Sequence, residues 1–155
     1  MLELKEQCII LEMKAGGKDA ALQELASAVH ASCTEINPEA VFSVLQEREL
    51  VGSTGVGNGV AIPHAKMSGL DRLILSFGRS RKGVNFEAID NQPVHLFVQI
   101  LSPTGMAYEY LQALARISRL LKVEANRRSL LEAGTKQEIL DIFNAPEPEP
   151  LITPE

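Results

Sequence analysis

Between Gly52 and Lys66 the chain reads GSTGVGNGVAIPHAK, with glycines at 52, 55, 57 and 59, an apolar step, and then Pro63-His64. Glycine reaches positive φ and lets other groups approach the main chain closely. Pro63 sets its own φ and biases Ile62 toward an extended conformation. Whatever fold the rest adopts must therefore bracket a loop of unusual backbone freedom that ends in one rigidly held histidine. Two nucleotide-binding patterns fail on spacing. Gly55 to Val60 does not give G-x-G-x-x-G, and no Gly-Lys-Ser/Thr follows, so neither a dinucleotide fingerprint nor a P-loop is present. Taken alone, the run is either a plain surface turn or a site that presents His64.

At 155 residues the chain suits one domain, long enough to bury a core without disulfides or metal. We expect that domain to occupy residues 1–144. The remainder, 145–155, is APEPEPLITPE, too rich in proline and acid to pack a core, and is expected to be disordered. A net charge of −5 and the lack of a basic cluster interleaved with aromatics exclude the footprint of a nucleic-acid binder. Cys8 and Cys33 have neither metal-site nor redox spacing and read as small core or boundary residues of a reducing compartment. The N-terminal apolar run is too short and too interrupted by acids for a signal peptide, and no segment is long enough to span a bilayer. A cytoplasmic location, no membrane insertion and no metal follow as expectations.

Taken in order, Cys8 to Leu11 predicts a strand ending at Gly16-Gly17. Asp19 is expected to cap a helix over Ala20–Ala31, with Leu22, Leu25, Ala26 and Val29 on its apolar stripe and His30 at the boundary. Asn37-Pro38-Glu39 combines a cap, a proline at the first helical position and an acid facing the macrodipole, opening a helix to about Glu49. Two strands, Leu73–Phe77 and Val94–Leu101, flank a polar turn-forming stretch from Gly78 to Pro93. The near-continuous hydrophobicity of the second predicts burial on both faces, hence a mixed sheet covered by helices on both sides. His95 at its start reads as a satisfied sheet histidine. A long helix carrying EYLQALARISRLL follows, with Leu111, Leu114, Ala115, Ile117 and Leu121 expected inward. A further short helical segment over Ala125–Leu131 precedes Gly134, and Thr135-x-x-Glu138 is a capping box for a last helix through Phe143.

The longer segment from Leu45, LQERELVGSTGVGNGVAIPHAK, resembles the phosphohistidine signature of fructose–mannitol type enzyme IIA of the bacterial phosphotransferase system. The matching parts are Arg48-Glu49, Ser53-Thr54-Gly55, Gly57-Asn58-Gly59, Val60-Ala61-Ile62 and Pro63-His64. GRSRKGVNFEAIDNQPVHLFVQIL downstream is similar too, so the resemblance covers most of residues 3–143. It implies a three-layer α/β fold of the enzyme IIA fructose/mannitol kind and no cofactor. It implies that His64 accepts a phosphoryl group, that Arg48 is its charge partner, and that Thr54 and Asn58 shape or donate into the site. Both of the latter also suit a turn, and Arg48 also suits the negative end of a helix.

The chemistry needs little else. A neutral imidazole is nucleophilic toward phosphorus and remains a good leaving group once phosphorylated, so one histidine can accept and later donate the same group. Positioning and compensation of oxygen charge matter more than a dedicated base. The sequence departs from the family where a second active-site histidine usually stands; here the matching pair is Tyr110-Leu111. Tyrosine can donate a hydrogen bond to a phosphate oxygen but is not cationic at neutral pH. The implied partners are an HPr-type carrier as donor, and a IIB component or a regulatory protein downstream. No fused IIB or membrane domain is expected here, which favours the nitrogen-regulatory branch, although sugar-specific IIA proteins also stand alone. A reading of another class is a binding module whose histidine site has decayed.

Overall fold

The computed structural model describes residues 3–147. In chain order its elements are β1 (Leu4–Ile10), α1 (Lys18–Ser32), α2 (Pro38–Val51), β2 (Gly55–Gly57), β3 (Val60–Ala61), β4 (His64–Lys66), β5 (Ile74–Val84), β6 (Val94–Ser102), α3 (Ala107–Lys122), α4 (Glu124–Glu132) and α5 (Lys136–Asn144). The apolar run that predicted a central strand is β6. Its side chains alternate between two cores: Leu96, Val98 and Ile100 enter one, Phe97 and Leu101 the other. α1 and α2 close one core through Leu22, Leu25, Val29, Val41 and Leu45. α3, α4 and α5 close the other through Ile117, Leu121, Leu130, Ile139 and Phe143. The result is three layers, helix–sheet–helix.

The sheet is mixed, in the order β1-β5-β6-β3-β2, with β4 paired beside β6. β5 is antiparallel to β6, whereas β1 is parallel to β5. β3 and β4 lie parallel to β6 on its other side, opposite Leu96–Phe97 and Ile100–Ser102 respectively. Pro63 falls in the gap between these two short pairings, where its missing N–H costs nothing.

Local signals account for several boundaries. Asn37 Oδ1 accepts from the Glu39 N–H at 2.9 Å, with Pro38 next to it, and Thr135 Oγ1 accepts from the Glu138 N–H at 3.2 Å. α1 departs from expectation, because Gly17 rather than Asp19 is its cap residue. Lys18 is drawn into the first turn by Glu49, 2.9 Å from its ammonium, and Asp19 instead meets Gln46 of α2 at 3.5 Å. The stretch after Phe77 is also corrected: β5 continues through Gly78-Arg79-Ser80 to Val84, and only residues 85–93 form a loop. Arg79 can lie buried in a strand because its guanidinium donates to the carbonyls of Leu11, Leu130 and Ala133 at 3.0, 2.9 and 2.6 Å.

On α3 the inward face is Tyr110, Ala113, Ile117 and Leu121, while Leu111 and Ala115 turn to solvent. The stripe therefore starts one residue earlier than expected, with Tyr110 taking the place assigned to Leu111. His95 Nδ1 lies 2.8 Å from the Ser80 carbonyl and His30 Nδ1 lies 2.9 Å from that of Ile36, so each is held by backbone. Of the expected disordered tail, residues 148–155 lie outside the described residues, while Glu147 pairs with Arg119 at 3.1 Å. Among the described residues no helix is long and apolar enough to cross a membrane.

Candidate functional site

The glycine run builds a small β-hairpin. Gly55 of β2 lies so close to the loop before β6 that a Cβ there would stand 2.7 Å from Ala88 Cβ, so a side chain cannot be accommodated without moving that loop. Gly57, Asn58 and Gly59 take φ of 97, 58 and 74°, the left-handed region that a tight hairpin turn needs. Asn58 is exposed at this turn, and no hydrogen bond joins its side chain to His64 or Arg48 among the described residues. It shapes the loop through its backbone.

Thr54 is buried, and it too faces inward to the scaffold. Its backbone N–H donates to Glu49 Oε1 at 3.1 Å and its hydroxyl donates to Glu49 Oε2. Lys18 completes the arrangement, 2.9 Å from the same carboxylate and 5.0 Å from the Phe86 ring centroid. Glu49 thus ties the end of α2, the start of α1 and the glycine hairpin together. Its role was not legible in the sequence, where it was only half of an Arg-Glu pair; burial of a carboxylate shows only once the helix is packed.

The hairpin delivers the chain to β4 at the sheet edge. His64 is half-buried there, and its Nδ1 lies 2.6 Å from the Ile62 carbonyl. A carbonyl oxygen can only accept, so Nδ1 carries the proton and the neutral ring leaves its lone pair on Nε2. Burial lowers the His64 pKa below the ordinary 6.5, and the nearby Arg48 charge lowers it further, against the opposing effects of the Ile62 carbonyl and Glu49. The ring is therefore mostly neutral at neutral pH and is a competent nucleophile at Nε2.

Groups from both helical layers meet this ring. Tyr110 from α3 approaches it with ring centroids 5.9 Å apart, tilted by 52°. Arg48 comes from the last turn of α2, where Nη1 donates to the Gly52 carbonyl at 3.0 Å. Its charge bears on both His64 and Tyr110. Burial raises the Tyr110 pKa, with Arg48 opposing, so the hydroxyl stays protonated and neutral. Lys66, two residues beyond His64, sets its ammonium 5.7 Å from the Tyr110 ring centroid. Sequence reasoning passed over it, since the alternation that places it beside His64 depends on residues 64–66 being a strand. His64, Arg48, Tyr110 and Lys66 therefore converge, while Thr54 and Asn58 support the loop from behind.

The rim is apolar. Leu50 and Val51 follow Arg48, and Tyr108 and Leu111 flank Tyr110; all four are exposed. Among the described residues no cluster of three His, Cys, Asp or Glu could hold a metal. The arrangement offers a neutral imidazole, capable of acting as a nucleophile, and two cations.

Comparison with known proteins agrees with this fold. The family model for the phosphoenolpyruvate-dependent sugar phosphotransferase system, EIIA 2, matches residues 3–145. A nitrogen regulatory protein of Bradyrhizobium diazoefficiens is 40% identical over 140 residues, covering 90% of this chain and 91% of that protein. The fructose-specific EIIABC component of Bacillus subtilis is 36% identical over 141 residues, covering 91% of this chain but 22% of that much longer protein. The crystal structure of the nitrogen regulatory protein IIA-Ntr from Neisseria meningitidis superposes with a TM-score of 0.85 at 31% identity, covering 90% of this chain and 95% of that one.

Proposed function

The chain belongs to the EIIA 2 family of the phosphoenolpyruvate-dependent sugar phosphotransferase system, and from that premise we propose that His64 accepts a phosphoryl group from an HPr-type carrier. The observation that carries the proposal is the 2.6 Å bond from Nδ1–H to the Ile62 carbonyl, which reserves the lone pair of Nε2 for phosphorus. In the transfer, that pair forms the new N–P bond as the P–N bond of the donor phosphohistidine breaks, and the electrons of the broken bond return to the donor imidazole. Arg48 and backbone N–H groups compensate the phosphoryl oxygens as charge redistributes. Tyr110 contributes a neutral hydrogen-bond donor. The apolar rim of Leu50, Val51, Tyr108 and Leu111 suits a partner that docks and leaves.

Downstream, the phosphoryl group either moves on to a IIB component or remains as a signal read by a regulatory protein. Similarity to nitrogen regulatory proteins along nearly their full length favours the signalling role. The second reading is a binding module without transfer, and Tyr110 is the residue that favours it, since a neutral hydroxyl there supplies no charge. Incubation with phosphoenolpyruvate, enzyme I and an HPr-type carrier, followed by intact-mass spectrometry, decides between them. One acid-labile phosphoryl group on the wild type and none on His64→Ala is the expected result. No gain with several carriers would leave the binding module, and Tyr110→His would then be the variant to examine for recovered phosphorylation with unchanged partner binding.

A further inference from the structure

A phosphoryl group on His64 brings a charge of about −1.5 to −2 at neutral pH, and one guanidinium answers only about half of it. Tyr110, neutral and buried, cannot supply the remainder. We infer that Lys66 is the second cation of the phosphoryl site, parked over the Tyr110 ring and turned onto the phosphoryl oxygens when His64 carries them. Granted His64 as the acceptor, this assigns a catalytic role to Lys66 and a positioning role to the Tyr110 ring.

The geometry comes from β4. His64 and Lys66 are two apart in a strand, so their side chains leave the same face, with Cα atoms about 7 Å apart. Ala65 between them points into the opposite core, which confirms the alternation. Tyr110 is the common neighbour: its ring centroid is 5.9 Å from that of His64 and 5.7 Å from Lys66 Nζ. Packing against the core that includes Ala113 and Ile117 fixes that ring as a wall.

Lys66 is also unspent. Among the described residues its ammonium makes no ion pair, whereas Lys18 is committed to Glu49 and Glu87 at 2.9 and 3.6 Å. A cation held only by a ring face is weakly held, and a lysine stem is flexible with three donors at its tip. A phosphoryl dianion outcompetes the ring for it through charge-assisted hydrogen bonds. The other charged and titratable groups around His64 are Arg48 and Glu49 from α2 and Tyr110 from α3.

The test reads the electrostatics of the phosphoryl group itself. The full chain is charged on His64 with phosphoramidate, from which Nε2 takes the phosphoryl group as ammonia leaves, and the second ionisation of the phosphoryl group is followed by 31P NMR. Lys66→Gln is expected to raise its proton affinity about tenfold relative to wild type, and Lys66→Arg to return it most of the way. Tyr110→Leu should move it part of the way in the same direction, and Tyr110→Phe, which keeps the ring but loses the hydroxyl donor, should move it less than Leu does. An unchanged titration in Lys66→Gln, or equal shifts in the Gln and Arg variants, overturns the assignment. Charging by phosphoramidate but not by any carrier overturns the relay alone, whereas no charging by either donor overturns both.

Discussion

Two arginines in this chain occupy opposite situations. Arg79, in the middle of β5, is buried and donates from Nε and Nη1 to the main-chain carbonyls of Leu11, Leu130, Leu131 and Ala133, at the junction of β1, α4 and the turn before α5. Arg48, at the end of α2, is partly exposed and donates to a single carbonyl, that of Gly52. The first resembles a rivet, since its Nε and Nη1 donors satisfy carbonyls that burial has taken from water. The second keeps donors free near His64. The difference separates structure from function better than residue type does: a site cation is one whose bonding capacity the fold leaves unused.

The comparison can be broken most directly at Arg79. Arg79→Met should cost about 3 kcal/mol or more, because the carbonyls it bonds, those of Leu130 and Ala133 buried, lose their donor; an unfolding free energy from urea titration within about 0.5 kcal/mol of wild type would contradict the rivet. Arg48→Ala should do the reverse, leaving unfolding within about 0.5 kcal/mol while slowing phosphoryl acceptance about a hundredfold. A large stability loss with normal transfer would exchange the two roles. Glu49→Gln probes the scaffold between them. It is expected to cost about 1–2 kcal/mol, since Lys18 loses its charged partner and the Thr54 hydroxyl a strong acceptor, and to slow transfer by loosening the hairpin.

The smallest effect is that of pH on His64. Its folded pKa lies below the ordinary 6.5, so as pH falls through 6.5 the unfolded chain takes up the proton first. The stability linked to this group is therefore full above 6.5 and is lost as pH falls toward the folded pKa. Acceptance of phosphoryl should be level from about pH 7 upward and decline only below 6.5; comparing initial rates and unfolding midpoints with those of His64→Gln isolates the contribution. A rate that fell on going from pH 8 to pH 7 would mean that His64 is protonated too easily to be the nucleophile described.

Sequence legibility followed the range of the interactions involved. Asn37 and Thr135 were identifiable as caps because a capping bond closes over two or three residues. β6 was legible from its own run of apolar residues, and its burial on both faces followed. β5 was cut short at Phe77, since Gly78-Arg79-Ser80 looks like a turn until β6 is alongside to pair with it and distant carbonyls are present to receive Arg79. Tyr110, singled out through its motif, lies with its ring centroid 5.9 Å from that of His64, but Leu111 was put on the wrong side of α3, a one-residue error that only packing against β6 corrects.

By itself the sequence determined the local facts: where helices start, which strand is central, and that a glycine-rich loop must end in a constrained Pro-His. These depend on φ preferences, caps and periodicity, all settled within a few neighbours along the chain. Only the tertiary structure decided that Thr54 faces Glu49 rather than His64, that Arg79 is bonded to distant carbonyls while Arg48 is not, and that Lys66 shares the face of His64 with Tyr110 between them. Arg79 and Tyr110 reach partners dozens of residues away in the chain, and even the Thr54–Glu49 bond, closed over five residues, forms only where the end of α2 is packed against the hairpin.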